Sequence, residues 1–193
     1  MLNILSGMLS VLAFVPYIAA ILRGQTQPSR VSWWIWSAVG LLLALTYVKL
    51  GSTAAVGVAF GSFAGQVIIS ALAIPYGKKG VTIVDRWCLV GALACAILWW
   101  LISSPLLPHL LILGIDFFAW LSTFRKAIKN PASENLLAWI LWFAGGAIAL
   151  VNVHQWTIAN ALFPLYVTCS DGLVVALLFR NLLLLRHSIP FRR

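Results

Sequence analysis

The segment VSWWIWSAVG, from Val31 to Gly40, recurs 106 residues later as LAWILWFAGG, from Leu137 to Gly146. Both segments contain a pair of tryptophans three residues apart, Trp33 with Trp36 and Trp139 with Trp142, followed by an alanine and a glycine. At the same offset, the first three apolar runs of the chain align with the last three without a gap, and the fourth run lies between them. The pattern predicts two three-helix units in one orientation, a parallel repeat (3+1+3) joined by a linker helix.

The composition is that of a membrane protein. The 193 residues are 62% hydrophobic and 9% charged, with a mean hydropathy of +1.00. A soluble domain is nearer half apolar and a quarter charged, so an ordinary soluble enzyme and a disordered chain are excluded. Because a helix needs about 20 apolar residues to cross a bilayer, the chain has room for roughly seven spans. We therefore predict an all-α integral membrane protein with seven transmembrane helices.

Apolar runs bounded by charge, proline or glycine mark the predicted spans. They are Leu2 to Leu22, Val31 to Val48, Thr53 to Pro75, Trp87 to Ile102, Leu106 to Phe124, Asn135 to Val153, and Trp156 to Phe179. With the repeat, they divide the chain into a first three-helix unit over 1–80, a linker helix over 81–104, a second unit over 105–185 and a basic tail over 186–193.

The basic residues predict the orientation of these spans. Of the 13 lysines and arginines, all but Lys49 follow an odd-numbered span. Because cytoplasmic loops carry the excess of basic residues, we predict an outside N-terminus and a cytoplasmic C-terminus, in a multi-pass protein of the plasma (inner) membrane. The net charge of +9 comes from these loops and not from a basic face, so no nucleic-acid partner is expected.

The side chains that would serve a cofactor, a metal or a catalyst are not grouped in the sequence. Span seven contains no lysine, which excludes a retinal Schiff base of the rhodopsin type. The three cysteines lie within apolar runs and lack metal-ligand spacing. No Ser-His pair or pair of carboxylates at helical spacing occurs. We expect no cofactor, no metal site and no enzymatic activity.

The sequence before each tryptophan pair resembles the PQ-loop and SWEET superfamily, small transporters built of two three-helix units around one linker helix. The residues that carry the resemblance are FVPYIAAILRGQTQPSRVSWWIW (Phe14 to Trp36) and IDFFAWLSTFRKAIKNPASENLLAWILW (Ile115 to Trp142). In the family pattern, a helix ends in Pro-Gln before a basic loop and a second helix that begins with aromatic residues. Here Tyr17 follows Pro16, and Ser122 and Thr123 occupy the corresponding pair in the second unit.

The resemblance implies a small-solute transporter that works by alternating access, with a sugar or another small polar solute as its substrate. The alternative is a non-transporting scaffold subunit that packs against another membrane protein or a second copy of the chain. The lipid bilayer is a partner in both cases. A polar, water-filled interior distinguishes the two, because a transporter needs one and a scaffold does not.

Two aspartates are predicted at membrane depth, where an unpaired charge costs several kcal/mol. Asp116 lies about ten residues, or roughly 15 Å, from the outer end of span five, and Asp171 lies about 22 Å below the outer Trp156. Either they bind protons or a cationic substrate, or they form hydrogen bonds that pack helices. Three further polar residues are candidates for the same substrate or proton site: Gln66, Thr168 and Ser170.

Prolines and tryptophans are candidates for moving parts. Pro16 and Pro164 interrupt spans one and seven and remove a backbone hydrogen bond, which makes each a hinge or a passive kink. Trp36 and Trp142 share a helix face with Trp33 and Trp139, respectively, and form either an aromatic gate or part of an interfacial belt. Small residues recur every four positions in span three and predict close helix packing: Gly57, Gly61 and Gly65.

Overall fold

A computed structural model describes residues 2–49, 53–101 and 107–187, and these residues form helices and their connections. The helices are α1 (Leu2–Leu12), α2 (Phe14–Leu22), α3 (Arg30–Lys49), α4 (Thr53–Tyr76), α5 (Ile83–Leu101), α6 (Leu107–Lys129), α7 (Leu136–Val151) and α8 (Ile158–His187), with a 3₁₀ turn at Pro131–Ser133 before α7. Each predicted span therefore corresponds to one helix, except that the first is divided into α1 and α2. Residues 188–193 of the predicted tail lie outside the described part.

Three stretches are long and apolar enough to cross a membrane. They are Ile4–Leu22, Ala59–Tyr76 and Ala161–Leu183, and Arg30–Leu45 and Leu136–Val151 are shorter apolar helices. The prediction of an all-helical chain is confirmed for the described residues. Helix α8 continues to His187, beyond the predicted end at Phe179.

The two prolines act differently on their helices. Helix α1 ends at Leu12 and α2 begins at Phe14, because Pro16 has no N–H to donate to the carbonyl of Leu12 and its ring crowds that turn. Pro164, in contrast, lies inside α8, which continues through it without a break. Ala13, the one residue between α1 and α2, keeps helical dihedral angles (φ −59°, ψ −27°), so a hinge or kink at Pro16 stays a prediction.

The helices pack with their neighbours and across the predicted units. Helix α3 packs along α4, α5 along α6 and α7 along α8. The first helices also reach into the other half of the chain, because α1 and α2 contact α7, and α6 contacts α3. The hydroxyl of Ser6 donates to the carbonyl of Gly145 (2.7 Å) in one of these contacts. The side chain of Trp36 lies where the three apolar clusters of the core meet.

Close packing at the glycines of α4 is confirmed for the two whose surroundings are described. A Cβ on Gly65 would lie 2.5 Å from the ring of Phe14, and one on Gly61 would lie 3.3 Å from Val11. The environment of Gly57 is outside the described part. Glycine at these positions lets α4 approach the α1–α2 segment closely.

We expect Gly65→Ala to lower the unfolding free energy by about 1–3 kcal/mol, because the methyl group overlaps a buried aromatic ring. Gly61→Ala is the matched control on the same helix. It should be nearly neutral, since its contact is looser and alanine favours a helix by about 1 kcal/mol over glycine. Thermal unfolding in detergent measures both. Equal melting temperatures for the two variants would contradict the contact with Phe14.

Three connections lie together at one end of the bundle, called the basic end below, and eight of the 13 lysines and arginines lie in them or in the helix ends beside them. The three connections are 23–29, 77–82 and 130–135. The amide of Gln27 donates to the carbonyl of Ser133 (3.0 Å), and the amide of Lys78 donates to the carbonyl of Pro28 (3.2 Å). Arg30 caps α4 by donating from Nε to the carbonyl of Ala73 (3.0 Å). The clustering agrees with the charge pattern of the sequence.

Candidate functional site

An aromatic cluster occupies the centre of the bundle. The ring centroids of Trp33 and Trp142 are 5.8 Å apart, and those of Trp36 and Trp139 are 6.4 Å apart. Trp33 and Trp139 are each only 2% exposed, so the interpretation of these two as an interfacial belt is wrong. The indole rings of α3 and α7 fill the space between these two helices. Trp36 and Trp142 are partly buried in the same cluster.

The two aspartates predicted at membrane depth lie close to each other. The hydroxyl of Tyr166 on α8 donates to Oδ2 of Asp116 on α6 (2.8 Å). The side chain of Trp36 also contacts the Asp116 carboxyl group. Asp171, which is 9% exposed, is near enough to interact electrostatically with Asp116 and Tyr166. Sequence reasoning missed Tyr166, although its position five residues before Asp171 places it near the same part of α8.

The other predicted site residues are engaged elsewhere. Thr168 donates to the carbonyl of Pro164 (2.7 Å), and Ser170 donates to the carbonyl of Tyr166 (2.9 Å). Both hydroxyl groups therefore form hydrogen bonds within their own helix. Gln66 lies on α4, where its Oε1 packs against Gly40 and has no hydrogen-bond partner among the described residues. The polar site thus consists of Asp116, Asp171 and Tyr166, with Trp36 at its edge.

A buried ion pair lies at the basic end. Lys126 Nζ on α6 pairs with Glu134 Oε1 in the connection before α7, and it also donates to the carbonyl of Gln27. The other carboxylate oxygen of Glu134 accepts from the hydroxyl of Tyr17 (3.0 Å) and from the indole of Trp139 (3.0 Å). Lys126 and Glu134 are 5% and 8% exposed. The network joins α2 and the 23–29 connection to α6 and α7.

Sequence reasoning missed this ion pair because its residues are far apart in the chain. Glu134 is the only glutamate in the sequence, and its isolation among basic residues was the available indication. The sequence pattern indicates Lys126 only as one of the basic residues that follow span five. Tyr17 was noted only as the residue that replaces a family glutamine, and the structure gives it a buried partner 117 residues away.

Asp85 anchors a second polar group at the basic end. Its Oδ2 accepts from the amide (2.9 Å) and the hydroxyl (2.8 Å) of Thr82, which caps the start of α5. Its Oδ1 accepts from Ser122 on α6 (2.6 Å). Burial by itself raises the pKa of Asp85, but the hydrogen bonds from Ser122 and Thr82, with the charge of Lys78, outweigh it and lower the pKa overall. Asp85 is therefore ionised at neutral pH.

A small pocket opens beside Asp85. Its volume of about 20 Å³ is enough for one water molecule. Its walls include Asp85 and Ser122 of one polar network and Lys126 of the other. The lining residues are Ser29, Arg30, Val31, Lys78, Gly80, Val81, Asp85, Ser122 and Lys126.

Comparisons of this chain with family models, curated proteins and solved structures give no match.

Proposed function

We propose that this chain is a multi-pass membrane transporter for a small polar solute, built of two three-helix units that move against each other. The proposed units are α1–α4 and α6–α8, with α5 as the linker helix. The solute site lies in the second unit at Asp116, Asp171 and Tyr166 and faces Trp36 of the first unit, with Trp36 and Trp142 as an aromatic gate. The resemblance to the PQ-loop and SWEET superfamily is consistent with this arrangement.

The starts of α3 and α7 support the proposed repeat. Ser29 Oγ accepts from the amide of Ser32 (3.3 Å), and Asn135 Oδ1 accepts from the amide of Ala138 (2.9 Å). These two N-caps are separated by the same 106 residues as the tryptophan pairs. The tryptophan contacts follow the same relation, since Trp33 with Trp142 corresponds to Trp139 with Trp36. An N-cap and an aromatic contact that recur at the same offset are expected of a repeat.

The aspartate pair carries the proposal. Within the described residues, no lysine or arginine lies within ion-pair distance of Asp116 or Asp171. Two carboxylates between apolar helices, without a basic partner, are costly unless they bind protons, water or a cation. The two aspartates also lie near Trp36, whose ring is part of the aromatic contact between the proposed units. Such a site would change its surroundings when the units move.

The ion pair at the basic end supports a state that is closed on that side. Opening this end would separate Lys126 from the carbonyl of Gln27 and Glu134 from Tyr17, because these groups belong to different units. In this conformation, solute exchange would occur from the opposite end. Alternating access would then require these bonds to break and to form again in each cycle.

One observation favours the alternative of a scaffold. The pocket beside Asp85 lies at the basic end and does not include Asp116 or Asp171, and the tryptophans fill the centre of the bundle. A subunit that only packs against a partner would need no cavity at the aspartates. Solute exchange distinguishes the two functions.

We expect the purified protein in proteoliposomes to exchange at least one solute from a labelled panel of sugars, amino acids and nucleosides. Trp142→Ala should reduce solute exchange, because it removes one of the two rings that form the proposed aromatic gate. Trp156→Ala, at an exposed tryptophan outside the cluster, is the matched control and should leave exchange unchanged. Absence of exchange for the whole panel would favour the scaffold, and copurification in mild detergent would then identify its partner.

A further inference from the structure

A chain of buried hydroxyl groups leads from Asp85 into the bundle. Ser122, which donates to Asp85, is 3.0 Å from Ser29 Oγ. Ser32 Oγ is 2.9 Å from Ser29 Oγ, and Thr123 donates to Ser32 (2.7 Å). Ser32 and Thr123 are 0% and 1% exposed. The chain of hydroxyl groups therefore connects the water-sized pocket with a fully buried region between α3 and α6.

The hydrogen bonds of this chain point in one direction. A hydroxyl has a single proton to donate. Since Ser122 donates to Asp85, Ser29 must be the donor in its bond with Ser122. Ser32 donates towards Ser29 and shares this proton with the carbonyl of Ala119 (2.7 Å). Thr123, Ser32, Ser29 and Ser122 thus each donate to the next, and the series ends on the Asp85 carboxylate.

We propose that Thr123, Ser32, Ser29, Ser122 and Asp85 form a proton-conducting chain between the interior aspartate site and the pocket at the basic end. This inference rests on the proposed transport function, in which Asp116 and Asp171 bind the proton. It adds the route by which that proton leaves or arrives.

The proton balance is simple. A proton that reaches Thr123 is taken up by its oxygen, and the Thr123 hydroxyl proton passes to Ser32. The transfer repeats through Ser29 and Ser122, and Asp85 receives one proton and releases one to water in the pocket. Rotation of the four hydroxyls restores the starting arrangement. The lowered pKa of Asp85 favours this release, because the protonated form is the less stable one at neutral pH.

The charged groups that surround Asp85 help to keep it ionised. Lys78 interacts with it from the 77–82 connection, and Cys88 is the titratable neighbour on α5. Arg125 on α6 donates to Thr82 (3.3 Å), beside the carboxylate. Arg30 on α3 and Lys126 on α6 line the pocket. Apart from Cys88, these described neighbours are cationic, and they favour the release of a proton from Asp85.

Two helical turns separate the end of the chain from the aspartate site. Thr123 lies seven residues after Asp116 on the same face of α6, which corresponds to about 10 Å along the helix. The proposal requires water to enter this interval when the aromatic cluster opens. Trp36, which contacts Asp116, is the side chain that must move.

The test is a pH jump on proteoliposomes in which the basic end faces the bath. Time-resolved infrared spectroscopy follows the carboxyl C=O band of protonated Asp116, identified by its loss in Asp116→Asn. We expect Thr123→Val and Ser32→Ala to slow protonation of Asp116 by about tenfold or more. Each substitution removes one hydrogen bond from the chain, and the free energy of that bond is added to the activation barrier. Ser37→Ala is the matched control, since Ser37 is a buried hydroxyl on α3 that pairs with Ser70 (2.7 Å) outside the chain.

Ser32→Thr, which keeps the hydroxyl, should restore the wild-type rate and thus separates conduction from packing. Rates in Thr123→Val and Ser32→Ala equal to that of Ser37→Ala would overturn the proposal. Solute exchange, measured on the same vesicles, separates this result from the proposed function. Exchange with unchanged protonation rates rejects only the proton chain, whereas slowed protonation without exchange supports the chain and rejects transport of the tested solutes.

Discussion

Lys126→Met is expected to lose about 3–5 kcal/mol of unfolding free energy, because it leaves the buried carboxylate of Glu134 without its cation. Lys126 and Glu134 are 5% and 8% exposed, so water does not replace the missing charge. Tyr17 and Trp139 still donate to Glu134, but two neutral hydrogen bonds do not compensate an ionic partner. Chemical or thermal unfolding in detergent measures the loss.

Lys129→Met is the control for this substitution. It removes the same charge from the same helix, but Lys129 is exposed, and the stability should change by less than about 0.5 kcal/mol. The double variant Lys126→Met with Glu134→Gln should recover much of the loss, since it leaves no unpaired charge. Equal unfolding of the two single lysine variants would show that the ion pair does not hold the basic end together.

The second large effect is expected for the aspartate pair. A pH difference of one unit drives about tenfold accumulation of solute for each coupled proton. We expect the double variant Asp116→Asn with Asp171→Asn to lose this accumulation while keeping exchange of solute at equal pH. The reason is that asparagine retains size and hydrogen bonding but does not bind a proton at these pH values.

Tyr166→Phe is the control for the aspartate variants. It removes only the hydrogen bond to Asp116 and keeps both carboxylates, so gradient-driven accumulation should persist. The measurement is uptake into proteoliposomes under an imposed pH gradient, beside exchange without one. If the double variant accumulates solute with the full pH profile of the wild type, the aspartates are helix-packing groups and do not couple protons.

The helices were predictable because their determinants are local. About 20 consecutive apolar residues indicate a span wherever the rest of the chain lies, and a proline in a helix interior removes a hydrogen bond from the turn just before it. Even so, local pattern did not separate Pro16, where the helix divides, from Pro164, where it continues. The end of α8 also differed from prediction, since the helix continues past Arg180 through four leucines to His187.

The candidate site was predictable only in part. A carboxylate in an apolar run is costly in any fold, so Asp116 and Asp171 stood out from the sequence. Their partner Tyr166 did not, because an aromatic residue in an apolar helix is unremarkable until a carboxylate faces it. Thr168 and Ser170 were chosen for their polarity, but a hydroxyl in a helix satisfies itself on a carbonyl four residues earlier, as both do here.

The sequence by itself determined the composition class, the helical segments, the charge asymmetry of their connections and the cost of two interior acids. All of these depend on neighbours within about 20 residues. Only the tertiary structure decided that Tyr17 meets Glu134 across 117 residues, that Ser29 meets Ser122 across 93, and that Trp33 and Trp139 are buried in one aromatic cluster. The physical reason is that a buried polar or aromatic group takes its partner from whichever helix packs against it, and no local pattern specifies that helix.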